Sequence, residues 1–193
     1  MRKEVAMDVE KLRDGIFALR TRRFGSVAER MVERLLKCSL GRNLFHDLYD
    51  DSLRHRIEVK FSVVQKKAER TITEDTVVRC IEEATAEKRM VAFSEWQQNE
   101  FDCNIQQVKR KEFDVLYYGL FFSDCIKIFR IESKDIKENR RGGRIFYSDF
   151  QHKGNVGEGQ FHINPRTFQL HLDHYLYKTL TYDELLQLLT CES

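Results

Sequence analysis

From Gly25 to Cys38 the chain reads GSVAERMVERLLKC, with Val27, Met31 and Leu35 at helical spacing and Ala28, Val32 and Leu36 beside them, which predicts an amphipathic helix. The period then changes. In NLFHDLYDDSLRHRIEVKFSVV two strand-like runs flank the turn-forming Asp50, Asp51 and Ser52, so a hairpin is predicted. TEDTVVRCIEEATAEKR returns to helical spacing, with Thr73 as its cap and Val77, Val78, Ile81 and Ala84 along one side. FDVLYYGLFF is a nearly continuous run of β-favouring apolar residues, the pattern of a strand buried on both faces. CIKIFRIE predicts a further strand, and Ser133 a cap for a short helix in SKDIKEN. NRRGGRIFYSDFQHKGNVGEGQFHIN reads as loop-rich, and TYDELLQLL ends as a helix whose Thr181 and Glu184 form a capping box. This order predicts an α/β fold: a mixed central β-sheet flanked by helices, with a loop-rich C-terminal elaboration. No repeat or linker interrupts it, so residues 1–193 read as one domain.

Composition adds limits. With 193 residues, 41% of them apolar and 33% charged, one Pro and nine Gly, the chain is an ordinary globular domain and not a disordered or fibrous one. No apolar run approaches the roughly 18 residues of a membrane span, and MRKEVAMDVEKLRDG has no apolar signal core. Five cysteines, odd in number and never spaced C-x-x-C, argue against a disulfide framework or zinc site; the expected location is the cytoplasm. The net charge of +2 is too small to require a polyanion partner. Its distribution is more suggestive, because basic clusters recur at 20–23, 66–67, 109–111 and 140–144, a layout suited to tracking a phosphate backbone. Hydrolase-triad, nucleotide-triphosphatase and dehydrogenase signatures are absent. His171 and His174, three apart, resemble surface decoration more than a metal pair.

The chemistry concentrates in IEVKFS. Alternation along a strand puts Glu58 and Lys60 on one face and Ile57, Val59 and Phe61 on the other. Taking Asp50 to Leu53 as the turn sets Tyr49 against Arg54 and Asp47 against Arg56, which brings Asp47 to the face of Glu58 and Lys60. A turn one residue longer or shorter reverses that. Two carboxylates and an ammonium in one patch meet the needs of phosphodiester hydrolysis: hard oxygen ligands hold Mg2+ with its waters, and a lysine orients or deprotonates the nucleophile. The plainer alternative is a solvated hairpin in which Asp47 pairs with Arg56. A second triplet, Glu132-Ser133-Lys134 after Asp114 or Asp124, ranks lower because Ser133 would end the strand before Lys134. Gln107-Val108-Lys109 is a Q-x-K variant without an acidic hairpin partner, and Gln106 and Gln107 read as amides at the core edge, with support of the site as the weaker alternative.

Asp47, ten intervening residues, then Glu58-Val59-Lys60 resembles the signature of the PD-(D/E)XK nuclease superfamily, which includes type II restriction endonucleases and Holliday-junction resolvases. The resemblance spans residues 24–62 and departs from the pattern at His46, where the family nominally has proline. It implies Asp47 and Glu58 as Mg2+ ligands, Lys60 as the residue that positions water, and Glu29 of GSVAER as an auxiliary acid; Ser26 with Glu29 also reads as a plain capping box. It implies a catalytic core over about residues 24–132 and DNA-recognition elements over about 139–178. Within the latter, Arg140, Arg141, Arg144, Gln151, His152, Lys153, Asn155, Gln160, His162, Asn164 and Arg166 are the residue types that read base edges and phosphates. The expectation is a Mg2+-dependent, sequence-specific endonuclease acting on double-stranded DNA, a homodimer if its target is palindromic, with a cognate methyltransferase implied. A structure-selective nuclease of the resolvase or repair type and a non-catalytic DNA-binding or interaction domain are the alternatives.

Overall fold

The structure is a computed structural model that describes residues 8–41, 45–67, 71–151 and 154–191. Two helices open it. In α1 (Val9–Ala18) the Asp8 side chain accepts the Lys11 N–H and caps the first turn, and Ile16 and Phe17 are buried. The amphipathic helix α2 (Thr21–Leu36) starts earlier than Gly25 and buries Phe24, Ala28, Met31 and Val32, one continuous stripe. It ends where Lys37 turns left-handed at φ 54. Ser26 therefore lies inside the helix, its hydroxyl donating to the Arg22 carbonyl, and does not cap it.

The strands β1 (Ser39–Leu40), β2 (Leu48–Asp50) and β3 (His55–Val63) follow. The helix expected after Thr73 is two short ones, α3 (Val77–Glu82) and α4 (Ala86–Arg89). Thr85 breaks the run by accepting the Lys88 N–H as the cap of α4, Thr73 belongs to a turn closed by Thr76, and Val78 and Ile81 face solvent. Then come β4 (Cys103–Val108), the apolar β5 (Val115–Phe121) and β6 (Ile126–Glu132), both as expected, while SKDIKEN makes only a 3-10 turn at Ser133–Asp135. The C-terminal part is not the loop-rich elaboration its composition suggests. It holds β7 (Tyr147–Ser148), β8 (Gly159–Ile163), α5 (Phe168–Tyr175), β9 (Leu176–Leu180) and α6 (Tyr182–Thr190), the last with the Thr181–Glu184 capping box.

One mixed six-stranded sheet has the order β1-β2-β3-β5-β6-β9, with β3 and β5 parallel and the other neighbours antiparallel; a second, three-stranded sheet has the order β4-β8-β7. Every residue of β5 is buried because both faces of the large sheet are covered. Val115, Tyr117 and Phe121 pack with the buried stripes of α1, α2 and α6, while Leu116, Tyr118 and Leu120 pack with Ile105, Phe161 and Ile163 of the small sheet and Phe168 of α5. The fold is thus mixed α/β in three layers: helices, large sheet, and small sheet with α5. Gly119 is required at the centre of β5, where a Cβ would collide with the Phe61 ring and the Lys127 carbonyl. Among the described residues no helix is long and apolar enough to cross a membrane.

His171, only 1% exposed, lies among the aromatic side chains between the large sheet, the small sheet and α5, stacked on Phe161 and with Nδ1 2.8 Å from the Tyr118 hydroxyl. Burial pushes its pKa down to about 4 from the ordinary 6.5. The folded state therefore binds fewer protons than the unfolded one below neutrality, so the contribution of the neutral ring is intact above about pH 6.5 and lost as pH falls toward 4, at up to about 1.4 kcal/mol per pH unit. Urea titrations across this window are expected to show that slope in the wild type and a shallower one in His171→Gln; equal slopes would refute this role of burial.

Candidate active site

The hairpin turn sits one residue later than expected. Asp50 is the last paired residue of β2, and its Oδ1 accepts the Ser52 N–H, the Leu53 N–H and the Ser52 hydroxyl at 2.9, 3.0 and 2.6 Å. The side chain closes the turn from outside it, so the register is Leu48 to Ile57, Tyr49 to Arg56 and Asp50 to His55, two places from the expected pairing. An even shift keeps every side chain on its face. Asp47 accordingly arrives beside Glu58 and Lys60.

The geometry there depends on where β2 stops. Asp47 N–H still donates to the Ile57 carbonyl at 3.1 Å, but Val59 N–H receives no strand carbonyl and donates to Asp47 Oδ2 at 2.8 Å. The two strands part at this point, while β3 continues beside β5 from Ile57 to Val63. Ile57 and Val59 enter the helix-side core; Glu58 and Lys60 take the other face. The Lys60 ammonium bridges both carboxylates, hydrogen-bonded to Glu58 and 3.6 Å from Asp47 Oδ2.

The charges of these groups act on one another. Burial raises the pKa of Glu58; Lys60 opposes the rise, and Asp47 and Glu112 add to it. Burial works against the Lys60 ammonium, yet Glu58, Asp47 and Glu29 outweigh it and hold its pKa above the ordinary value. Glu29, half-buried on α2, is raised by burial and then by Asp47, with Lys60 opposing. Freed from capping, Glu29 thus lies within electrostatic reach of the hairpin acids.

Arg56, the expected partner of Asp47 in a solvated hairpin, is engaged elsewhere: its Nη2 and Nε donate to Asp114 at 2.8 and 3.0 Å, tying the start of β3 to that of β5. In the rival triplet, Lys134 lies beyond the end of β6 and pairs with Glu132 on the surface. His171 and His174 do not form a metal pair, since His171 is buried against Tyr118 and His174 meets Arg144 at 3.2 Å.

Asp47, Glu58 and Lys60 line one side of a cleft of about 110 Å3, with Gln107, Lys109, Glu112 and Glu158 on the other and the buried His46 also lining it. Of these, Lys109 entered the sequence reading only through the lower-ranked Q-x-K triplet at 107–109 and a basic cluster, while Glu112 and Glu158 escaped it. The recognition candidates scatter. Gln151 and Asn155 come next to the cleft, Gln151 accepting the Gln107 N–H at 2.6 Å and Asn155 holding Glu158. Gln160 and His162 lie on the outer face of β8, bonded to Asn104 and Asp102. Asn164 closes the turn before α5, with Arg166 exposed beside it. Arg141 pairs with Glu138 and Asp149, and Arg144 with His174. His152, Lys153 and the side chain of Arg140 lie outside the described residues.

Comparison with protein families, curated proteins and solved structures finds no match. What this site can do therefore follows from its own chemistry. Among the described residues no group of three or more His, Cys, Asp or Glu side chains is placed to hold a metal ion. The donor set, two carboxylates of which one is buried, bridged by the Lys60 ammonium, suits a hard cation that keeps most of its waters.

Asp47→Ala removes the acceptor of the Val59 N–H and is expected to lower the unfolding free energy by about 1–2 kcal/mol. Asp47→Asn, which keeps an amide oxygen in place, is expected to retain most of it. Urea titration of the three proteins checks this, and equal loss in both variants would mean that the hydrogen bond does not hold the hairpin.

Proposed function

We propose that the protein is a Mg2+-dependent, sequence-specific DNA endonuclease of the type II restriction enzyme kind. The observation that carries the reading is the convergence of Asp47, Glu58 and Lys60 where β2 leaves β3. The element order supports it: α2, the β2–β3 hairpin, a crossover to the parallel β5 and then β6 are similar to the order expected of a restriction-endonuclease-like core.

In this reading Asp47 and Glu58 hold the cation, and Glu29 adds negative charge behind them. Bound Mg2+ supplies positive charge against the charge that develops on the phosphate oxygens and makes a water more acidic. Lys60 positions the attacking water and moves with its own three N–H donors toward the phosphate once its carboxylates are otherwise engaged. The small polar cleft is of a size to admit a phosphate group. Duplex DNA is the partner, and a palindromic target calls for a homodimer. A cytoplasmic location and a methyltransferase protecting the same sequence complete the proposal.

Incubating purified protein with phage DNA, in Mg2+ and in EDTA, tests this. Discrete fragments that require Mg2+ are expected from the wild type, with rates at least about a hundredfold lower in Glu58→Ala, Lys60→Ala and Asp47→Asn. Fragments that persist in all three variants would overturn the assignment. Cleavage confined to branched DNA would move the protein to the structure-selective nucleases, and no cleavage of either substrate would leave a non-catalytic domain.

A further inference from the structure

The wall of the cleft opposite Lys60 is built on an irregularity. β4 pairs with β8 as Cys103 to Ile163 and Ile105 to Phe161, then slips so that Val108 faces Gly159, which leaves one extra residue on β4. Gln107 takes up the slip at φ 57, a left-handed conformation that costs a non-glycine residue about 1–2 kcal/mol. The surroundings hold it there: Gln107 N–H donates to Gln151 Oε1 at 2.6 Å, and the next residue, Val108, is fully buried. The result is that Gln107 and Lys109 both line the cleft that Glu58 and Lys60 line from β3.

Lys109 differs from Lys60 in how it is held. Its ammonium lies 3.7 Å from Glu112 and 3.7 Å from Glu158, too far for a charge-assisted hydrogen bond to either, which runs to about 2.7–2.9 Å. Glu158 cannot follow it, since its carboxylate already accepts the Asn155 N–H and side-chain amide. Lys109 is also 40% exposed, at an opening of about 110 Å3 that suits a phosphate group and is well below the roughly 300–1,000 Å3 of a pocket for a larger molecule. We propose that Lys109, aimed by the bulge at Gln107, is a second phosphate-contacting lysine, gripping an oxygen of the phosphate being cut from the side opposite Lys60. This rests on the nuclease reading above. Glu112 and Glu158 act as its tether, holding the ammonium at the opening while leaving its N–H donors available.

The test measures binding of a fluorescent random-sequence duplex in EDTA across a range of KCl, and single-turnover cleavage of phage DNA in Mg2+, for the wild type, Lys109→Met and Lys109→Arg. In Lys109→Met the plot of log affinity against log salt is expected to be shallower by about 1 and cleavage about tenfold to a hundredfold slower, with both largely restored in Lys109→Arg. Melting temperatures unchanged in both variants would separate this from a purely structural role. A wild type that binds and cuts, beside a Lys109→Met protein with the same salt slope and rate, would overturn the proposal and leave the nuclease reading standing. A wild type that neither binds nor cuts DNA would overturn both.

Discussion

β3 has neighbours of unequal length, and the candidate site exists because of that mismatch. On one side it is paired with β5 from Ile57 to Val63; on the other β2 runs out at Leu48. A backbone N–H left over in the middle of a half-buried strand needs an acceptor, and the Asp47 carboxylate supplies it to Val59. The same bond that ends the hairpin therefore brings an acid against Glu58 and Lys60. Charge then follows from burial: Glu58 is 8% exposed, and a carboxylate that deep needs a cation close by. Lys60 fills that need in the protein alone, and a metal ion with a phosphate would fill it differently.

The second sheet has a complementary part. By covering the face of β5 that carries Leu116 and Tyr118, it roofs the polar face of β3 as well, and its bulge turns what would be a continuous apolar interface into an opening lined by Gln107 and Lys109. Without the small sheet, Glu58 and Lys60 would be the wet side of an ordinary hairpin.

Much of this was legible from pattern, and the reasons differ by element. β5 and β6 declare themselves because both faces are covered, and α6 because its cap uses a two-residue signature. The faces of the hairpin survived an error of two places in register, since face depends only on whether the shift is even. Other elements carried weak signals. β8 alternates buried Gly159, Phe161 and Ile163 with the polar Gln160 and His162, a composition that also suits a loop, and β9 is exposed over most of its length. The apolar stripe of α3 misled because periodicity reports an apolar face without saying whether anything covers it. Glu158 was invisible for a different reason: its place at the cleft is set by the β4–β8 register, a long-range pairing that no local spacing encodes.

Under the proposed function, the parting of β2 and β3 makes a cation site out of Asp47 and Glu58. Diffraction from crystals of the protein with duplex DNA and Mn2+, recorded at the manganese edge, is the decisive measurement. An anomalous peak bonded to both carboxylates is expected, with the Lys60 ammonium displaced from its bridging position. Crystals with bound DNA, no peak there and Lys60 still spanning Asp47 and Glu58 would rule the site out.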